Sequence, residues 1–184
     1  VMTHITETFP QIRKAVTYTT REPRPHELDG VDYRFIGEEE FFTKVKDGAI
    51  LEYEQVYNDY YYGSPADIFT DGNFKIMEMD WKGHRRYREV YKEVTIISLF
   101  LVPPSLAEIQ KRILERSQVN NLGSRIANAL EQLEHADEYS YIIVNDQREK
   151  MLENVEAIVR TEIINSNRRH NLELVRNLIN QYKN

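Results

Sequence analysis

Two arginines, Arg21 and Arg24, lie three positions apart on either side of Pro23, and they are the first residues in this chain whose spacing suggests chemistry. Pro23 and Pro25 fix their own φ and push the residues before them towards extended backbone, so both guanidinium groups ride on a stiff turn rather than a helix face. Two preset forks suit one phosphate. Thr17, Thr19 and Thr20 add hydroxyls, Gly30 permits a tight reversal, and Tyr33 returns a phenol towards the arginines. The same residues also fit a solvated loop with ordinary surface arginines. Further along, residues 50–56 alternate, with Ile50, Glu52 and Glu54 on one face and Leu51, Tyr53 and Gln55 on the other. Asp80 closes the apolar run 74–79, at the carboxyl end of a predicted strand, where ligands sit in open α/β sheets. Its plainer role is the N-cap of the helix that follows.

The elements that must hold these groups are legible in outline. Val1, Ile5 and Phe9 repeat at a spacing of four and predict the tail of a helix. Residues 16–20 and 33–36 predict strands. An acidic first turn at residues 38–40 opens a helix that runs to about Asp47 and stops at Gly48. Tyr60, Tyr61 and Tyr62 cannot all face one core, so at least one lines a surface or a pocket. A short helix to about Asp71, a turn at Asp71–Gly72, a strand over 74–79 and a helix over 81–90 follow. The run 94–102 is the most strand-like in the chain, and residues 103–105 stop it and cap a helix over 106–117. Residues 117–124 read as a mobile connection. A helix over 125–139, a strand over 141–144, and helices over 150–165 and 172–182 with a polar break at 165–170 complete the chain. Strands alternating with helices predict an α/β sheet with a small inserted lobe.

Composition narrows the partners. A net charge of −6 with 29% charged residues argues against a broad nucleic-acid or anionic-membrane surface, yet leaves room for local capture of a small anion. No cysteine is present, so thiolate metal sites and nucleophiles are excluded, and His4, His26, His84, His135 and His170 lack ligand spacing. The absence of a long apolar stretch or a signal-peptide pattern fits a cytoplasmic protein that uses no membrane. The 184 residues predict one domain, monomeric or homodimeric.

An ordered set of motifs resembles the guanylate kinase family, which includes noncatalytic modules of scaffold proteins. The motifs are Thr-Thr-Arg-Glu-Pro-Arg at 19–24, Glu-Leu-Asp-Gly-Val-Asp-Tyr at 27–33, Ile-Leu-Glu-Tyr at 50–53, Tyr-Tyr-Gly-Ser at 61–64, Glu-Met-Asp-Trp-Lys-Gly at 78–83, Pro-Pro-Ser at 103–105 and Ile-Val-Asn-Asp at 143–146. The resemblance implies a P-loop NTPase-like parallel sheet flanked by helices. The core would be residues 1–32, 65–112 and 126–184, with a mixed α/β GMP-binding lobe at about 33–64 and a helical lid at about 113–125. It implies that Arg21, Arg24, Tyr33 and Tyr62 hold the GMP phosphate, with Thr17 where the family usually has serine. Glu52 and Ser64 would read guanine, and Asp80 would lie close to the base and the magnesium-nucleotide. Arg116 and Arg125 would flank the lid over the ATP phosphates, and Asn145 would lie near adenine.

The activity implied is transfer of the γ-phosphoryl of ATP to GMP, with Mg2+ carried on the nucleotide rather than ligated by the protein. Arg21, Arg116, Arg125 and Asp80 would be the catalytic groups. The alternative is a noncatalytic module that uses the same pocket for a phosphorylated peptide or GMP. The family's Gly-x-x-x-x-Gly-Lys-Ser/Thr loop is expected ahead of Val1, because no Gly-Lys pair occurs in the sequence. The stretches between Ser64 and Asp71 and between Arg116 and Arg125 are each a few residues shorter than the family pattern. All three places face ligands and move; the expectation is that residues missing from this sequence account for them, the alternative being a true truncation that holds GMP but transfers phosphate poorly.

Overall fold

The computed structural model describes residues 1–56, 60–116 and 122–183, and the chain divides into two units, Val1–Ile96 and Ile97–Asn184. In the first, helix α1 (Met2–Thr8) buries Ile5, and Phe9 just beyond it is buried too. Strands β1 (Ile12–Lys14), β2 (Thr17–Thr19) and β3 (Tyr33–Phe35) follow. Next come helix α2 (Glu38–Lys46), strands β4 (Ile50–Val56), β5 (Tyr60–Pro65) and β6 (Phe74–Ile76), and helix α3 (Trp81–Val90). β1 and β6 form a parallel pair, and the other strands form a mixed four-stranded sheet in the order β3-β2-β5-β4. β2 runs parallel to β3 and antiparallel to β5, and β5 runs antiparallel to β4.

This sheet corrects one expected boundary. Residues 17–19, read with the core, belong to the lobe, because both edges of β2 find their ladder partners in β3 and β5. A second correction lies in β4. The ladder pairs Glu52 with Ser64 and Ile50 with Pro65, leaving Leu51 as an extra residue. Such a bulge breaks strict alternation by one step. Ile50 therefore joins Tyr18 and Phe41 in one buried cluster, while Leu51 packs on Ala15, Ile68 and Tyr87 in another.

α2 begins with Glu38, Glu39 and Glu40 at its positive end and carries Lys44 and Lys46 in its last turn. It stops before Gly48, whose φ of 74° is the left-handed conformation that glycine adopts without strain. Phe41, fully buried, is its anchor, and burying such a ring contributes about 1.5–3 kcal/mol. Phe41 and Phe42 meet Tyr53 and Tyr61 in edge-on and tilted contacts at 4.8–5.9 Å between ring centroids. The three consecutive tyrosines thus part company: Tyr61 faces α2, Tyr62 faces a cavity, and Tyr60 is exposed.

Residues 66–71 form turns rather than the expected helix. α3 is tied to that stretch, since the Tyr87 hydroxyl donates to the Pro65 carbonyl at 2.6 Å and the Tyr91 hydroxyl donates to that of Ala66.

In the second unit, β7 (Leu99–Val102) precedes α4 (Leu106–Arg116) and α5 (Leu122–Glu134), which pack together. A 3-10 turn, Ala136–Glu138, leads to β8 (Tyr141–Val144), and helices α6 (Arg148–Ser166) and α7 (Arg168–Lys183) follow. β7 and β8 pair in parallel from Leu99↔Tyr141 to Val102↔Val144. The strand expected over 94–102 begins only at Leu99, whose ladder partner Tyr141 opens β8; one residue back, the Ser98 carbonyl still accepts from the Tyr141 N–H at 3.0 Å. Ser98 and Ser140 instead exchange backbone-to-hydroxyl bonds at 3.0 and 3.3 Å. The polar break expected at 165–170 shrinks to a turn at Asn167, and the helix expected from 125 starts at Leu122. Ser105 does cap α4, its hydroxyl accepting from the Glu108 N–H at 3.2 Å. Among the described residues, no helix is long and apolar enough to cross a membrane.

Gly63 shows how tightly the lobe is packed. A Cβ there would lie 2.7 Å from Ile50 Cγ2 and 2.9 Å from Phe41 Cζ. Gly63→Ala is expected to destabilise the protein by about 1–3 kcal/mol through overpacking, read as a lower urea midpoint; an unchanged midpoint would contradict this packing.

Candidate functional site

The inner face of β4, β5, β2 and β3 meets the segment after β6 around a cavity of about 200 Å³. Thr17, Tyr33, Glu52, Tyr62, Ser64 and Asp80, all marked as candidates by the sequence, line it. Lys14, Glu54 and Glu78 also line it and were not assigned to the site from the sequence. The shared face of Glu52 and Glu54 was visible in their spacing; Glu78 stood inside a predicted strand and a family motif, and Lys14 just ahead of a predicted strand, with no sign of either facing a cavity.

One end of the cavity is acidic. The Ser64 hydroxyl donates a short hydrogen bond to Glu52 Oε1 across the ladder. Burial pushes the Glu52 carboxyl above the usual carboxylate range, the Ser64 bond pulls it back, and Asp80 adds repulsion. Glu54 is also raised, by burial first, then by Asp80, with the nearby Lys82 ammonium acting the other way. Asp80 caps α3, its Oδ1 accepting from the Gly83 N–H at 2.8 Å. It is thus the N-cap the sequence allowed, and it also lines the cavity.

The other end is basic. Arg21 Nε donates to the Tyr62 hydroxyl at 3.1 Å, Nη1 to the Glu22 carbonyl at 2.6 Å, and Nη2 to Glu27 Oε1 at 2.8 Å. A guanidinium has five N–H donors, so part of the fork remains for a ligand. Its carbon also lies 5.7 Å from the ring centroids of both Tyr33 and Phe35. The hydrogen bond it donates to Glu27 is the main reason Arg21 holds its proton more tightly than usual. Glu27 Oε2 accepts the Arg24 N–H at 2.8 Å, so one carboxylate closes the loop that carries both arginines. Arg21, first, and the Arg24 N–H together hold the Glu27 carboxyl below its ordinary value. The Arg24 side chain is exposed on this loop and does not line the cavity. Burial raises the Tyr33 phenol, which keeps it neutral and able to donate.

Glu52, Glu54 and Asp80 thus gather at one end, and Arg21, Tyr33 and Tyr62 at the other, where the carboxylates of Glu27 and Glu78 also act on Tyr33. The cavity fits a ligand with a donor-rich edge and an anionic tail.

The remaining candidates belong to the second unit. The Asn145 N–H donates to the Val102 carbonyl at 2.8 Å, and its own carbonyl accepts from Arg112 Nη2 at 2.9 Å. Arg112 is held in turn by Glu108 at 2.7 Å. Arg125 is half-buried in the first turns of α5. The Arg116 side chain and residues 117–121 of the expected lid lie outside the described residues, as do residues 57–59 ahead of β5.

Comparison with known proteins agrees with this architecture. The guanylate kinase family profile matches residues 2–162. A guanylate kinase of Haemophilus influenzae is 35% identical over 154 residues, spanning 80% of this chain and 73% of that protein. One of Legionella pneumophila (strain Lens) is 37% identical over 158 residues, spanning 83% and 75%. The crystal structure of guanylate kinase from Anaplasma phagocytophilum superposes with a TM-score of 0.69 at 29% identity, covering 88% of this chain and 81% of that one. The chain belongs to the guanylate kinase family.

Burial of Glu52 has a consequence for stability. A carboxyl raised in the folded state favours folding below its unfolded value, near 4.5, and that contribution is lost as pH rises through the folded value. Glu52→Gln, which removes the charge, is therefore expected to melt above the unsubstituted protein at pH 7, with the gap closing on acidification; a gap that widens towards pH 4.5 would refute this.

Proposed function

We propose that this chain transfers the γ-phosphoryl of ATP to GMP, giving ADP and GDP. The observation that carries the reading is the pairing of Glu52 on β4 with Ser64 on β5 at one end of the cavity and of Arg21, just beyond β2, with Tyr62 on β5 at the other. Guanine presents donors at N1 and at its exocyclic amine, which a carboxylate at Glu52 accepts together. Adenine offers an acceptor at N1, which an ionised carboxylate repels. A site built on such bonds rejects the wrong analogue by roughly 10⁴-fold. A phosphorylated peptide would use the arginine end alone and leave the buried carboxylates without purpose.

The phosphate of GMP takes the open donors of Arg21, with Arg24 swinging in from the loop and Tyr33 and Tyr62 donating from the sheet. No protein nucleophile is required, because positioning and neutralisation of spreading negative charge supply most of the catalysis. Arg116, Arg125 and Asn145 serve the ATP side in this reading, and closure of a lid over residues 113–125 excludes the water that would otherwise hydrolyse ATP. Magnesium fits as the ion of the ATP phosphates, since it is commonly held by one or two carboxylates, substrate phosphates and retained waters. Asp80, a cavity-lining carboxylate, would stand near the magnesium-nucleotide without ligating the ion. When bound, the ion neutralises phosphate charge.

A coupled assay with Mg-ATP tests the reading: GMP is expected to be turned over and AMP ignored. Equal turnover of the two would sink the role of Glu52. Arg21→Ala is expected to weaken GMP binding by about 1.5–3 kcal/mol for each charged hydrogen bond lost, measured calorimetrically. An unchanged affinity would remove Arg21 from the site.

A further inference from the structure

The Glu52 carboxylate is held from two sides. Oε1 accepts from Ser64 on β5, and the group lies against the first turn of α3 at Gly83. A Cβ at position 83 would stand 3.1 Å from Glu52 Cδ, 3.2 Å from Glu52 Oε2 and 3.3 Å from Asp80 Oδ1. Each of these is tighter than an ordinary van der Waals contact. Gly83 is buried, its N–H is already committed to Asp80, and its φ is not positive, so no backbone conformation calls for glycine here. Within α3 it is a poor choice, because glycine is the worst helix former after proline and alanine the best. The local cost of glycine is met by something outside the helix.

We propose that Gly83 is a specificity-determining position of the guanine site: the missing side chain lets the Glu52 carboxylate reach the depth at which it accepts both guanine donors. The inference rests on the role proposed above for Glu52. Any side chain at 83 pushes the carboxylate by a few tenths of an ångström towards the cavity. Ser64 holds Oε1, so the displacement turns the group rather than translating it, and one of the two bonds to the base is misaligned. Asp80 Oδ1 is crowded by the same Cβ, at 3.3 Å.

The distinguishing feature is that fold and recognition move in opposite directions. Gly83→Ala is expected to unfold at or above the temperature of the unsubstituted protein, because alanine favours the helix. Its affinity for GMP, measured by titration calorimetry on the full chain, is expected to fall about tenfold, on the order of one charged hydrogen bond. Inosine monophosphate lacks the exocyclic amine and makes only one of the two bonds to Glu52, so its affinity falls less and the preference for GMP narrows. Glu52→Asp shortens the side chain and withdraws it from position 83, so it is expected to cost less in the Gly83→Ala background than alone.

A Gly83→Ala protein with unchanged GMP affinity and an unchanged GMP-to-IMP ratio overturns the inference while leaving the function standing. So does parallel loss of thermal stability and of affinity for both nucleotides, which would mark a packing defect. If the unsubstituted chain binds no GMP, the inference falls together with the reading beneath it.

Discussion

A carboxylate taken out of water is the constraint around which the first unit is arranged. Glu52 would be too costly to keep charged in an apolar pocket, and the surroundings offset that cost only in part. Ser64 donates one hydrogen bond, the positive end of α3 lies alongside, and the remaining acceptor positions are left open. Asp80 and Glu54 raise the cost further by repulsion. A carboxylate so poorly compensated stands to gain most from a donor-rich ligand, and in the function proposed above this incompleteness is what discriminates guanine from adenine.

The arginine end follows the opposite policy. Arg21 commits three of its five donors before any ligand binds, to Tyr62, to the Glu22 carbonyl and to Glu27. Glu27 brings a negative charge next to a site for an anion, which lowers the local potential, yet it fixes the fork and the Arg24 backbone in one arrangement. Preorganisation is gained where attraction is given up. Arg24, on the outside of the same loop, keeps its charge available in solvent.

Much of this was readable before any coordinates. Arg21, Tyr33, Glu52, Tyr62, Ser64 and Asp80 stand in short motifs whose chemistry is local, and the structure brings them to one cavity or its rim. What could not be read depends on which strands meet. Nothing in Thr17–Thr19 says that its partners are Tyr33–Phe35 and the end of β5. The extra residue at Leu51 is invisible in an alternating pattern, yet it sends Ile50 and Leu51 into different clusters. The run 94–98 has strand-like residues but no ladder partner in β8, so propensity alone misjudged it. Glu27 lay in plain view three residues after Arg24, but its role needs the geometry of a closed loop to appear.

The loop of residues 20–32 has another effect, at the rim of the sheet. β3 is an edge strand, and open edges recruit strands from other chains. Here the Phe35 N–H is taken by Asp29 Oδ1 at 2.9 Å and the Tyr33 carbonyl by the Gly30 N–H at 2.8 Å. The segment that presents the arginines thereby seals the border of its own sheet against intermolecular pairing. Lengthening that segment would disturb not only anion capture but colloidal behaviour, since unsealing the rim hands neighbouring molecules a template for association.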